Sequence, residues 1–249
     1  METRGDSLQF IRESCASAPE KGEASHVQNR ALWQHPMSLC AAREAGPCGK
    51  GLSATEIEID PRNKSADFLA ISPTGKVPLL VHNGVRVWEA AVINEYLDEA
   101  FPEHPLLPKT PAQRALARIW TSFADSRLYE PTHRLLLCSD PNIQARIAEQ
   151  LGKEIRFLET HALAAHDGPY WLGDAFSLAD IALFPWFEQV AVLECFRLFL
   201  MPAECTRIRA WREAVARRGG VRSAARSSDF YVQGYTLLFD RLAQGVSVA

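Results

Sequence analysis

No run of apolar residues in this 249-residue chain approaches the ~18–20 that a membrane-spanning helix needs. The two most apolar stretches, Ile181–Phe187 and Val190–Phe199, are interrupted or separated by Pro185, Glu188, Gln189, Glu194 and Arg197. The leading segment METRGDSLQFIRESCASAPEKGEASH lacks an apolar core and carries several acids. It predicts neither a secretory signal nor a typical transit peptide. Cys-x-x-Cys pairs and zinc spacings are missing among Cys15, Cys40, Cys48, Cys138, Cys195 and Cys205. A metal site is therefore not expected, and the thiols predict a reducing, cytoplasmic location. Neither sign of charge dominates: Lys+Arg is 27 and Asp+Glu is 30, a net charge of −3. This argues against a chain built mainly to coat nucleic acid. Gly 14 and Pro 15 are ordinary counts that exclude collagen-like and proline-rich classes. No internal repeat is visible. The chain is 47% apolar and 23% charged, enough core material to exclude wholesale disorder. Its length allows one large domain or two small ones.

Residues 1–28 are polar and aperiodic, which predicts a flexible extension. Ala31–Gln34 is a short apolar stretch, a candidate strand. A helix is predicted to start near Ser38, with Gly46-Pro47-Cys48-Gly49 breaking it. Thr55–Asp60 alternates like a half-buried strand, and Asn63–Ala70 predicts a short helix. Val77–His82 and Val85–Trp88, separated by Asn83-Gly84, predict a hairpin. Apolar residues at Ala90, Ile93, Tyr96 and Leu97 predict a helix over Glu89–Ala100. Four prolines between Phe101 and Pro111 mark a linker. Beyond it, helices are predicted over Ala112–Tyr129, Pro141–Ala165, Ile181–Val192 and Arg207–Arg218. Ser177-Leu-Ala-Asp180 has the capping-box pattern. The order is β-α-β-α-β-β-α followed by an all-helical half.

Three motifs make that order specific: Ser72-Pro-Thr-Gly-Lys-Val-Pro-Leu-Leu80, Trp88-Glu-Ala-Ala-Val-Ile-Asn-Glu-Tyr-Leu97, and Tyr170-Trp-Leu-Gly-Asp-Ala-Phe-Ser-Leu-Ala-Asp-Ile-Ala-Leu183. In this order and spacing they resemble the soluble glutathione S-transferase superfamily. The resemblance spans roughly residues 31–240 and is strongest over 55–110 and 168–187. It implies an α/β thioredoxin-like domain at 29–101, a linker at 102–111 and an all-α domain at 112–249. It also implies a cis Val77-Pro78 bond, and glutathione as co-substrate, held as an added strand by Val77 and Pro78. Glu89 and Ala90 match the pair that binds the γ-glutamyl end, where a helix N-terminus suits a carboxylate. Lys76 matches a position that often meets the glycyl carboxylate. Ala90 stands where the family usually has Ser, which removes one hydroxyl contact.

The resemblance puts the thiol-activating residue at Ser38, with Cys40 two residues on. A hydroxyl there donates to the glutathione sulfur and favours its ionisation. A Cys40 thiolate would instead form a mixed disulfide. Trp120, Phe123, Tyr129, Tyr231 and Tyr235 are candidate walls for a hydrophobic second substrate. Plain structural roles stay open beside these. Ser38 suits a helix cap, Cys40 a small buried residue, Glu89 a first-turn acid, Lys76 a solvated loop lysine, and the aromatics core packing. Asp180 is expected to be structural. Seven arginines between Ala203 and Arg226 against Glu204 and Glu213 give +5, expected as a solvated face. The expected function is conjugation of the glutathione thiolate to a small hydrophobic electrophile, by a homodimer without membrane partners. Two alternatives are a glutathione-dependent thiol reductase, of the dehydroascorbate-reductase kind, using Cys40, and a non-catalytic binding or regulatory protein on the same fold.

Overall fold

Alternation of apolar residues builds the sheet, and two-sided burial fixes its centre. The computed structural model describes residues 8–13, 55–59 and 64–243. Among them, strands β1 (Leu8–Glu13), β2 (Thr55–Ile59), β3 (Leu79–His82) and β4 (Val85–Trp88) form one sheet in the order β2-β1-β3-β4. β1 runs parallel to β2, with Ile11 opposite Ile57, and antiparallel to β3, with Phe10 opposite Leu80. Successive side chains leave opposite faces of a strand. Leu8, Phe10 and Leu80 therefore enter the main core, while Ile11 and Leu79 meet Phe68 on the other face. Phe68 comes from helix α1 (Ala66–Ile71), whose cap Ser65 accepts from the Phe68 N–H at 3.2 Å.

Leu8–Glu13 lies inside the stretch expected to be a flexible extension, so that expectation is corrected there. Three apolar side chains, each 5% exposed or less, pay the ordering entropy of this short strand. The expected strand Ala31–Gln34 and the expected helix break at Gly46–Gly49 lie outside the described residues.

Asn83 (φ 50°) and Gly84 (φ 84°) close the β3–β4 hairpin with the left-handed conformations that a two-residue turn requires. Helix α2 (Ala90–Ala100) follows and buries Ala90, Ile93 and Leu97 on one stripe. The proline-rich link after it is pinned. The Asp98 carboxylate accepts from the Leu106 N–H and, at 3.1 Å, from the Leu107 N–H, and the Leu178 N–H donates to Leu106 C=O at 3.1 Å.

Helix α3 (Pro111–Phe123) widens into π turns over Ala124–Tyr129 and continues as α4 (Glu130–Leu137). α5 (Pro141–Phe157) and α6 (Leu178–Glu188) follow, then α7 (Val190–Arg197), α8 (Thr206–Ala216), α9 (Gly219–Ala224) and α10 (Ser228–Ala243). Leu178–Phe187 is buried on all sides, so α6 is the axis of the helical half. Its capping box is formed, and the Asp180 carboxylate collects four donors: Trp171 N–H (2.8 Å), Ser177 N–H (2.8 Å), Ser177 O–H (3.0 Å) and Trp211 Nε1–H (2.7 Å). Burial raises the Asp180 pKa although all four donors oppose it. Asp180 thus has the structural surroundings expected of it.

Candidate functional site

The sheet register brings two of the sequence motifs together. Leu79 pairs with Trp88, so the residues just before β3 lie beside those just after β4. Those residues are the Val77-Pro78 pair, whose peptide bond is cis, and Glu89 with Ala90. Before the cis bond, Gly75 turns the chain at φ 62°, and the Ser72 hydroxyl donates to Lys76 C=O at 3.2 Å. Pro78 is buried, Val77 is half-buried and Lys76 is exposed. No turn or loop hydrogen bond among the described residues uses the Val77 N–H or C=O.

Glu89 is the N-terminal cap of α2 and has φ 68°, ψ 119°. A non-glycine residue there is strained, by roughly 1–3 kcal/mol. The strain coincides with an exposed carboxylate that makes no cap hydrogen bond. The Glu89 C=O already accepts from the Ile93 N–H at 2.9 Å. The Ala90 and Ala91 N–H groups, in the first turn, have no helical acceptor. An exposed carboxylate, first-turn amides and an extended-backbone edge therefore converge within one small area. Such a set can hold a zwitterionic, peptide-like molecule: the carboxylate takes an ammonium, the amides a carboxylate, and the Val77 backbone a peptide group. The strain at Glu89 carries no signal in the sequence.

Ser38 and Cys40 lie outside the described residues. The five aromatic candidates do not form one wall. Trp120 and Phe123 are half-buried and pack edge-on at 5.6 Å, with Trp120 5.7 Å from Trp171 and Phe123 stacked 5.8 Å from Phe157. Tyr129, Tyr231 and Tyr235 are core residues, 3%, 3% and 1% exposed. The Tyr129 hydroxyl donates to Ala182 C=O at 3.2 Å, and its pKa is raised by burial first and then by Asp125. Tyr231 and Tyr235 are four residues apart on α10, which puts both on its inner face. No cluster of three or more His, Cys, Asp or Glu suited to a metal ion occurs among the described residues.

A four-stranded mixed sheet with a cis-proline before its antiparallel hairpin, backed by an all-helical half, defines a thioredoxin-like domain joined to a helical one. The family model described as glutathione S-transferase, N-terminal domain, matches residues 28–99, and that of the C-terminal domain matches 141–214. The chain is 30% identical to glutathione S-transferase U22 of Arabidopsis thaliana over 203 residues, 80% of this chain and 89% of that protein. It is 34% identical to glutathione S-transferase U19 of the same plant over 178 residues, 68% of this chain and 78% of that protein. The crystal structure of glutathione transferase Omega 3C from Trametes versicolor is similar with a TM-score of 0.74 and 27% identity, over 96% of this chain and 92% of that one. Rice GST1, solved in complex with glutathione, shares the fold with a TM-score of 0.75 at 24% identity, over 96% and 99% of the two chains. The chain belongs to the glutathione S-transferase family, within the soluble superfamily. β1 precedes the N-terminal match, which starts at residue 28.

Proposed function

We infer that the chain binds glutathione at the Val77-Pro78 turn and the start of α2, and transfers its thiolate to a small hydrophobic electrophile. The observation that carries this is the strained Glu89 beside the cis Val77-Pro78 bond, two features that the β3–β4 register places together. In the proposed complex, Val77 N–H and C=O pair with the cysteinyl backbone. The Ala90 N–H holds the γ-glutamyl carboxylate, Glu89 receives the ammonium, and Lys76 meets the glycyl carboxylate. Ser38 donates to the sulfur and lowers the cost of its ionisation. The electrophile takes the apolar space beside it, where the half-buried Trp120 and Phe123 are the rings open to contact. The curated relatives named glutathione S-transferases support the transferase class.

Immobilised glutathione followed by a conjugation assay tests this. Retention together with turnover lost in Ser38→Ala is the expected result. Retention with thiol reduction lost only in Cys40→Ala would favour the reductase, and failure to be retained would remove both enzymatic readings.

The functional unit is proposed to be a homodimer in a cytoplasmic setting. Val85, Trp88 and Val92 of β4 and α2 are 52%, 39% and 55% exposed, and Leu116 and Ile119 of α3 are 45% and 56% exposed. The Arg118–Glu95 ion pair at 2.7 Å links α2 to α3 through these same surfaces. A second copy is the partner proposed to cover them. No helix among the described residues is long and apolar enough to cross a membrane.

A further inference from the structure

The loop that joins α7 to α8 carries the two most exposed large apolar side chains among the described residues. Leu198 is 87% exposed and Leu200 is 73%, while the next, Ile119, is 56%. Leu198 is also left-handed, at φ 51° and ψ 25°. A helix that ends this way ordinarily has glycine there, because a β-carbon is strained in that conformation. Leu198 therefore departs twice from what a folded surface favours: an apolar group in water, and a full side chain where glycine fits. Single surface leucines are ordinary, but this one has a companion. Phe199, between the two, is 6% exposed, so Leu198 and Leu200 leave the chain on the side away from the core. Among the described residues the other non-glycine positions of positive φ are Asn83, in the hairpin turn, and Glu89, at the proposed glutathione site.

The loop is held at both ends. At its start the Phe199 N–H donates to Leu193 C=O at 3.2 Å. Arg197 donates through Nε to Leu135 C=O at 2.9 Å and through Nη2 to Leu136 C=O, which ties α7 to the end of α4. Its guanidinium also lies 5.1 Å from the Phe239 ring centre. At the far end Pro202 and Cys205 are buried. Arg209 of α8 donates to the Ala203 C=O and, at 3.2 Å, to the Pro202 C=O. A protrusion that is already ordered loses little entropy when its tip is buried by a partner. Arg209 is itself exposed, so it sets a cation at the foot of the loop.

Side chains this exposed insert into a partner rather than receive one, and charge selects the partner. Between Glu194 and Arg212 four arginines stand against two acids, and one of those acids, Glu204, is paired with Arg156 at 2.7 Å. The chain as a whole is at −3, so a second copy gains nothing from this local excess, whereas an anionic surface does. A rigid aliphatic tip over a basic foot matches the boundary between headgroups and acyl chains in an anionic bilayer. The leucines enter the apolar edge and the guanidinium stays with the phosphates. Such docking needs no spanning helix.

We propose that the α7–α8 loop docks this protein on anionic membrane surfaces through Leu198 and Leu200, with Arg209 on lipid phosphates, outside the residues assigned to glutathione. Co-sedimentation of the full chain with vesicles of phosphatidylcholine and phosphatidylserine tests this, beside vesicles of phosphatidylcholine alone. Saturable binding at millimolar lipid is expected on the anionic vesicles, at least tenfold weaker on the neutral ones and in high salt. L198G/L200S should weaken it about tenfold or more, with the urea midpoint unchanged or raised, because glycine fits the backbone at 198. R209Q should weaken it about fivefold. Should the double variant fail to fold, L198G alone carries the same test. No binding at millimolar anionic lipid, equal binding to neutral vesicles, or an affinity unchanged in L198G/L200S or in R209Q would overturn the proposal. So would light scattering that shows self-association abolished in L198G/L200S without vesicle binding, because the loop would then join copies of the chain.

Discussion

Glu89 and Glu188 each occupy a conformation or an environment that costs the fold stability. At Glu89 the cost is backbone strain at φ 68°. Glycine tolerates that conformation, so Glu89→Gly should raise stability by up to about 1 kcal/mol while glutathione affinity falls. Urea unfolding and a glutathione titration of the same variant separate the two effects. A variant no more stable than the parent would show the strain to be absent in solution. At Glu188 the cost is burial of a carboxylate, whose pKa is pushed up to about 7 with Arg212 only partly opposing. The folded state then holds this proton more tightly than the unfolded chain. Its contribution is most favourable at low pH and is lost as pH rises from about 4.5 through about 7. Glu188→Gln removes that loss. The variant should match the parent near pH 5 and exceed it by about 2–3 kcal/mol at pH 8, as read from urea midpoints. A stability difference independent of pH would contradict the burial account.

Among the elements, β1 is the least expected and the most testable. Leu8, Phe10 and Ile11 insert between β2 and β3 and face both cores. Phe10→Ala should cost about 3–5 kcal/mol if this strand is the sheet's centre, and unchanged denaturant stability would remove β1 from that position. Its sequence carries too little to announce it, because six residues with apolar positions at 8, 10 and 11 look like noise in a polar leader. Other elements were legible for definite reasons. Asn83-Gly84 specifies its own turn through positive φ, the Ala90–Ile93–Leu97 spacing specifies the inner face of α2, and Ser177–Asp180 specifies the start of α6. The cis bond at Val77-Pro78 was implied by the family resemblance and not by local physical chemistry. Nothing local, however, encodes φ 68° at Glu89, since strain there is imposed by hairpin and helix together. The basic stretch is largely the solvated face expected of it: Arg207, Arg209, Arg217, Arg222 and Arg226 are exposed, and only Arg212 and Arg218 are half-buried, Arg212 donating to Phe187 C=O at 2.8 Å. Tyr129, Tyr231 and Tyr235 share their helical spacing with core residues, and the structure uses them as core.

At the scale of the whole molecule, the two halves are joined through their cores rather than by a loose tether. Leu80, Ile93 and Leu97 of the sheet domain share one apolar cluster with Leu106 of the link and with α6, and Asp98 holds the link's backbone. A homodimer over β4, α2 and α3 would bury Val85, Trp88 and Val92. Val92→Glu should then convert the dimer to monomer in light scattering with little change in fold stability, whereas an unchanged mass would place the interface elsewhere. The central claim is that the Val77-Pro78 turn and Glu89 hold glutathione. Calorimetric titration of the full chain with glutathione, beside Glu89→Ala, tests it most directly. Saturable binding at one site per chain, weakened about tenfold or more in Glu89→Ala, is the expected result. No binding, or an affinity that Glu89→Ala leaves unchanged, would contradict it.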